Sequence, residues 1–257
     1  MDVYVKRNPG APEDFFACEA AGLRWLADAD GGVPCVRVIA QDATSLTLQR
    51  LAQTPPDRTS AEEFGRRLAR THAAGAPAFG APPAGWTGSG FFGPLTRPLP
   101  MALTGHDDWG SFYAEDRLAP MAELAAPLLD ACTRAGLDTV MARCRAGDFD
   151  DGDGPARLHG DLWSGNVMWT PDGAVLIDPA AQGGHRETDL AMLALFGCPF
   201  RDAVLDGYRS EHPLRQGWRD RLGLHQLHPL LAHVVLFGAS YLDRTAAAVS
   251  SALAAAS

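Results

Sequence analysis

Leu158 and Val167 bracket the segment His159-Gly160-Asp161-Leu162-Trp163-Ser164-Gly165-Asn166. An acid and an amide stand five positions apart in a stretch punctuated by two glycines, a composition that favours a loop over a helix or a strand. Val167-Met168-Trp169 and Ala174 to Ile177 follow as two β-rich runs. They flank Thr170-Pro171-Asp172-Gly173, a hairpin turn signal. A second acid, Asp178, ends the hairpin just before Pro179. Any fold this chain adopts must therefore carry a functional-looking loop, a hairpin and an acid in immediate succession.

The 257 residues are 46% hydrophobic and 21% charged, enough for a sizeable core in one domain or two tightly packed lobes. Net charge is −9 and no Lys/Arg-rich block appears, which argues against a nucleic-acid partner. The five cysteines are scattered and form no C-x-x-C pair, so we expect neither a zinc site nor a disulfide framework. That pattern suits a reduced, cytoplasmic protein. No signal peptide is recognised at the N-terminus. The longest apolar run, around Leu230 to Leu242, is too short to span a bilayer, so no membrane partner is expected.

Val3 to Lys6 predicts a strand and Glu13 to Ala29 a helix, with Phe16, Ala20 and Leu23 on one stripe and Phe15, Glu19, Gly22 and Leu26 on the next. Val36 to Ala40 and Ser45 to Leu51 predict a hairpin, and Gln53-Thr54-Pro55-Pro56 ends this small sheet. Residues 1–53 then form a first lobe with a hinge, and 54–257 a second. Ser60 to Ala73 predicts a helix, and residues 75–105 an irregular segment rich in Gly and Pro. Helices are expected at 107–118, 120–135, 187–196, 200–212, 217–224 and 227–242. The Ala-rich tail from Thr245 to Ser257 reads as a frayed helix.

The spacing H-x-D-x-x-x-x-N is that of a kinase catalytic loop. On this reading Asp161 is the general base, accepting the proton of an attacking hydroxyl. Asn166 and Asp178 are the ligands for Mg2+. Lys6 would meet the phosphates of ATP, and Glu19, on an inward stripe, would hold that lysine. Gln49, Arg50 and Leu51 stand where backbone groups would read the adenine edge. Asp189, at a helix start, could bond the backbone of the catalytic loop, with His159 as further structural support. Pro179-Ala180 follows Asp178, so no mobile Phe switch is expected. His225, His228 and His233 could suggest a metal, but no nearby carboxylate in the sequence completes a ligand set. His72 is expected to pack or cap, and Trp109, Phe112 and Tyr113 to lie in the core.

The run His159 to Asn166 resembles the signature of the fructosamine kinase family, relatives of the aminoglycoside phosphotransferases, which usually lack the Trp163-Ser164 pair. Ile177-Asp178-Pro179-Ala180, the segments Gly184 to Met192 and Trp109 to Leu118, and Leu230-Leu231-Ala232-His233 with Phe237-Gly238 are similar too. The likeness runs from Val3 to about Leu242. It implies an α+β, bilobal protein-kinase-like fold: a small β-sheet lobe with one helix and a larger, mainly helical lobe. It also implies ATP-dependent phosphorylation of the sugar 3-hydroxyl of ketosamines, the adducts of ribose or glucose derivatives with amines or protein lysines. Trp163, His185 and Arg186 flank the base and the metal ligand and are taken as the sugar side of the cleft.

The family begins with two strands and a glycine-rich loop before the lysine strand, whereas Val3-Tyr4-Val5-Lys6 is preceded here by Met1 and Asp2 alone. This leaves two other readings: a related kinase acting on an aminoglycoside or choline-like alcohol, and a binding module that handles nucleotide poorly.

Overall fold

The computed structural model describes residues 2–255. The small lobe holds β1 (Val3–Arg7), α1 (Phe15–Ala27), β2 (Val38–Gln41) and β3 (Ser45–Gln49). The strand order is β1-β3-β2, antiparallel throughout, with Val3 opposite Gln49 and Lys6 opposite Leu46. Phe16, Ala20 and Leu23, on one stripe of α1, are buried against Val36, Leu46 and Leu48. The helix and sheet hide their apolar faces on each other.

An extended run leads to α2 (Arg58–Ala73). Asp57 caps this helix: its carboxylate accepts the Ser60 N–H at 2.7 Å, and Ser60 Oγ accepts the Asp57 N–H at 3.0 Å. The segment 75–105 is less irregular than its composition predicts. It contains the hairpin of β4 (Gly90–Phe92) and β5 (Leu99–Met101), whose Phe92, Leu99 and Met101 dock in the large core. Three-residue strands are too short to show alternation in the sequence.

Next comes α3 (Trp109–Phe112), which runs through a widened turn at Tyr113–Leu118 into α4 (Ala119–Ala125). The helix expected over 120–135 is broken. α5 (Ala131–Arg145) starts afresh, because Asp130 caps it by accepting the Thr133 N–H at 2.7 Å. Its inward face is Leu137, Val140, Met141 and Cys144.

β6 (Ala156–Leu158) precedes the loop of interest, and β7 (Val167–Thr170) and β8 (Gly173–Leu176) form the hairpin after it. β9 (Gln182–Gly184) returns antiparallel to β6, so both acids lie between paired strands. The small lobe is stitched to this unit: Val36 N–H donates to Leu176 O at 2.9 Å, and Leu176 N–H donates to Pro34 O at 2.8 Å.

The rest is helical: α6 (Glu187–Phe196), α7 (Arg201–Glu211), α8 (Leu222–Phe237) and α9 (Leu242–Ala255). The helix expected from Gly217 is a series of turns until Leu222. The tail is not frayed. Thr245, Ala248, Val249 and Ala252 are buried, and α9 packs on α8 and α5; small residues allow that close approach. Ala256 and Ser257 lie outside the described residues. The stretch Leu222–Ala255 is longer than the sequence reading allowed, and long and apolar enough to cross a membrane. Of its most apolar window, 56% is buried within the fold, and α8 forms the centre of the large core.

Candidate active site

The loop after β6 turns at Gly160, where φ is +82° and an added Cβ would stand 2.1 Å from the Ala180 carbonyl oxygen. Only glycine satisfies both conditions. The turn is pinned from below. Asp189, in the first turn of α6, accepts the His159 N–H at 2.8 Å and the Gly160 N–H at 2.9 Å, one on each oxygen. His72 of α2 donates through Nε2 to Asp189 at 3.1 Å, and its Nδ1 lies 2.8 Å from the Tyr208 hydroxyl of α7. Burial opposes the charge on Asp189, but His72 and His159 hold its carboxyl below the usual range.

His159 links the two acid-bearing segments. Its Nε2–H donates to the Ile177 carbonyl at 2.8 Å, and its Nδ1 accepts the Asp161 N–H at 3.2 Å. These partners fix the tautomer, and burial lowers the ring's pKa and keeps it neutral. Asp161 and Asp178 are thereby referenced to one rigid ring.

Asn166 ends a 3₁₀ turn over Ser164–Asn166. Its amide nitrogen donates to the Asp161 carbonyl at 2.8 Å, to Asp161 Oδ2 at 3.1 Å and to the Asp178 carbonyl at 3.4 Å. Burial pushes the Asp161 carboxyl up to about 7; the Asn166 amide pulls it down, and Asp178 and Asp189 add to the rise. A carboxyl in that range can both take and release a proton near neutral pH.

Asp178 sits after the hairpin at φ +55°. Its Oδ1 is 2.7 Å from Lys6 Nζ, which is also 2.7 Å from Glu19 Oε1. Glu19 lies on the buried stripe of α1, and Lys6 reaches it from β1. Burial opposes the ammonium charge, yet the two carboxylates outweigh it and raise the lysine pKa.

Two cavities meet at this pair. One, of about 570 Å³, is lined by Lys6, Glu19, Asp161, Trp163, Asn166 and Asp178. The other, of about 420 Å³, is lined by Gln49, Arg50 and Leu51 together with Val36, Met168 and Ile177. Tyr4, Lys6 and Asp178 touch both.

His185 and Arg186 line neither cavity. His185 is buried with Nε2 3.1 Å from Asp151, and Arg186 is buried with Nε 2.5 Å from Asp153 and Nη2 3.0 Å from the Pro213 carbonyl. Nearness in sequence to Asp189 carried no information on the direction of these side chains. The missing carboxylate near His225 comes from α6: Glu187 Oε2 is 3.4 Å from His225 Nε2, and His185 lies beside them. Arg221 pairs with Glu187 at 2.6 Å and with Asp151 at 2.7 Å, so a guanidinium balances these acids.

Sequence reasoning missed Phe196, His233, Phe237 and Tyr241, all lining the larger cavity. His233, Phe237 and Tyr241 recur at spacing four, a signal that was present but was absorbed into an apolar helix. Trp109, Phe112 and Tyr113 are core residues.

The family model for fructosamine kinase matches residues 1–255. The chain belongs to the fructosamine kinase family. A probable ketoamine kinase of Enterococcus faecium is 32% identical over 249 residues, 93% of this chain and 83% of that protein. One from Thermus thermophilus is 32% identical over 253 residues, 96% and 86% of the two chains. The crystal structure of a candidate fructosamine-3-kinase from Thermobifida fusca superposes with a TM-score of 0.90 at 44% identity, over 98% of this chain and 85% of that one. The choline kinase LicA of Streptococcus pneumoniae, with a TM-score of 0.60 at 15% identity over 98% and 86%, shares the fold. A member of this family is a phosphotransferase with an alcohol acceptor, built on the bilobal protein-kinase-like fold.

Proposed function

We propose that the larger cavity phosphorylates ketosamines, moving the γ-phosphoryl group of ATP to the 3-hydroxyl of a ribulosamine or fructosamine, free or on a protein lysine. One observation carries the roles: Asp161, Asn166, Asp178 and the Lys6–Glu19 pair line one cavity that opens onto a second through Lys6 and Asp178. Asp161 takes the proton of the attacking hydroxyl, and its raised pKa suits that task. Lys6 neutralises phosphate charge, and Glu19 keeps its ammonium in place. Backbone groups at Gln49, Arg50 and Leu51 take the adenine edge. Trp163 lies on the acceptor side, while His185 and Arg186 brace the large lobe.

The donor set suits Mg2+. Asp178 offers a carboxylate, and Asn166, with its nitrogen committed to three acceptors, leaves Oδ1 free of any partner among the described residues. These are hard oxygen donors. Bound there, Mg2+ would draw charge from the phosphoryl oxygens. We assign residues 1–53 to the small lobe and hinge, 54–257 to the large lobe, and the reaction to a reducing cytoplasm, since all five cysteines are free thiols.

Mass spectrometry tests the reading. A ribulosamine-modified lysine incubated with the chain, ATP and Mg2+ gains one phosphate, and the gain is lost in Asp161→Asn. If no ketosamine gains phosphate while an aminoglycoside or choline does, the acceptor class is wrong.

A further inference from the structure

One wall of the larger cavity is a continuous run of rings. Trp163 and Phe196 have centroids 6.4 Å apart, Phe196 and His233 4.8 Å, His233 and Phe237 5.3 Å, and His233 and Tyr241 4.8 Å. Trp163 is 41% exposed and Phe237 55% exposed, unusual for rings that could have been buried. The run begins two residues from Asp161 and ends on the last turn of α8 and the turn that follows it. His233 is spoken for on one side only: Nδ1–H donates to the Pro229 carbonyl at 2.7 Å, and Nε2 has no partner among the described residues. Every charged residue lining this cavity, Lys6, Glu19, Asp161 and Asp178, belongs to the phosphoryl end.

We propose that this aromatic run is the subsite for the substituent on the substrate's amine, and that it selects alkyl and aryl-alkyl amines over α-amino acids. The inference rests on the ketosamine reading. In a ketosamine the nitrogen is joined to the carbon next to the carbonyl, three bonds from the carbon bearing the reacting hydroxyl. With that hydroxyl at Asp161, the secondary ammonium lies at the start of the rings. Aromatic faces attract an ammonium group, and His233 Nε2 can accept one of its N–H bonds. An apolar substituent continues along Phe196, Phe237 and Tyr241 and removes their surface from water. An α-amino acid would instead carry its carboxylate one carbon from the nitrogen, between Asp161 and Asp178 on one side and uncharged rings on the other. Lys6, the one cation lining the cavity, is already held by two carboxylates. That juxtaposition of like charges works against the amino-acid adduct.

The experiment compares kcat/KM for N-ribulosyl-phenethylamine, N-ribulosyl-hexylamine and N-ribulosyl-glycine with ATP and Mg2+. The first two exceed the glycine adduct by about tenfold or more, in the range that apolar pockets discriminate. Phe237→Ala combined with Tyr241→Ala brings that ratio toward one. Leu124→Ser, at an exposed position on α4 outside the cleft, preserves it. Equal rates for the three adducts, or a preference that survives the double substitution, would overturn the proposal. Calorimetric titration of the wild-type chain with the same adducts, without nucleotide, reads the preference independently of turnover. If no adduct is phosphorylated, the kinase reading falls, and the ratio of binding constants alone decides the subsite: tighter binding of the two apolar adducts supports it, and equal binding sinks it.

Discussion

Asn166 Nδ2 lies 3.1 Å from Asp161 Oδ2 and donates to it, while also bonding the Asp161 carbonyl and, at 3.4 Å, that of Asp178. The amide therefore fixes the orientation of the acid and the separation of the two acidic segments. Asp161→Asn removes the proton acceptor and lowers kcat by about 10²–10⁴. Asn166→Ala lowers kcat too, and it raises the Mg2+ concentration needed for half-maximal rate, which Asp161→Asn does not. Steady-state rates against Mg2+ concentration separate the two roles.

The pH dependence follows from Asp161. Its pKa of about 7 in the free protein means kcat/KM falls about tenfold per pH unit below that value, as the base becomes protonated. Stability moves the other way. The unfolded carboxyl releases its proton near 3.8, whereas the folded one holds it to about 7. Between those values the folded state binds more protons, so stability falls as pH rises. Asp161→Asn should accordingly melt higher than wild type at pH 8 and show little gain at pH 4; equal shifts at both would contradict this.

Lys6 is held by Glu19 and Asp178, both at 2.7 Å. Lys6→Met leaves the buried Glu19 carboxylate without its counter-charge, a loss of about 3–5 kcal/mol for such a pair. The double substitution Lys6→Met with Glu19→Gln should regain much of the melting temperature and none of the activity. Regained activity would remove Lys6 from the phosphate site.

His72 acts on the loop only through Asp189. His72→Phe strands the Tyr208 hydroxyl and loosens Asp189, at a cost of about 1–3 kcal/mol for an unmet buried group. We expect kcat to drop while the KM for each substrate holds, because no cavity is lined by His72. A change in KM alone would count against this account.

Acid should unfold the large lobe through buried histidines. Burial lowers His225 to about 4 and His228 to about 3, from 6.5. In the unfolded chain these rings gain protons near 6.5, so from there down to about 4 the unfolded state binds more protons and stability falls with pH. The loss is on the order of a few kcal/mol by pH 4. His228 packs edge-on to Phe92 at 4.9 Å; His228→Phe should flatten the decline of melting temperature between pH 6.5 and 4.

The sequence by itself determined the local chemistry. The five-residue spacing of Asp161 and Asn166, the hairpin ahead of Asp178 and the stripe that turns Glu19 inward are short-range facts, set by turn and helix periods within about twenty residues. The cap at Asp130 was just as local and was overlooked, because a continuous apolar pattern concealed the break it makes. Direction and long-range company were decided by the tertiary structure alone. His185 and Arg186 follow β9, where strand pairing and helix docking turn them into the large lobe rather than the cleft. His72 meets Asp189 across 117 residues, and Trp163 joins Phe196, His233 and Tyr241 only when α6 and α8 pack together. Such contacts depend on which faces of distant elements are buried against each other, and no periodicity within a single element encodes that choice.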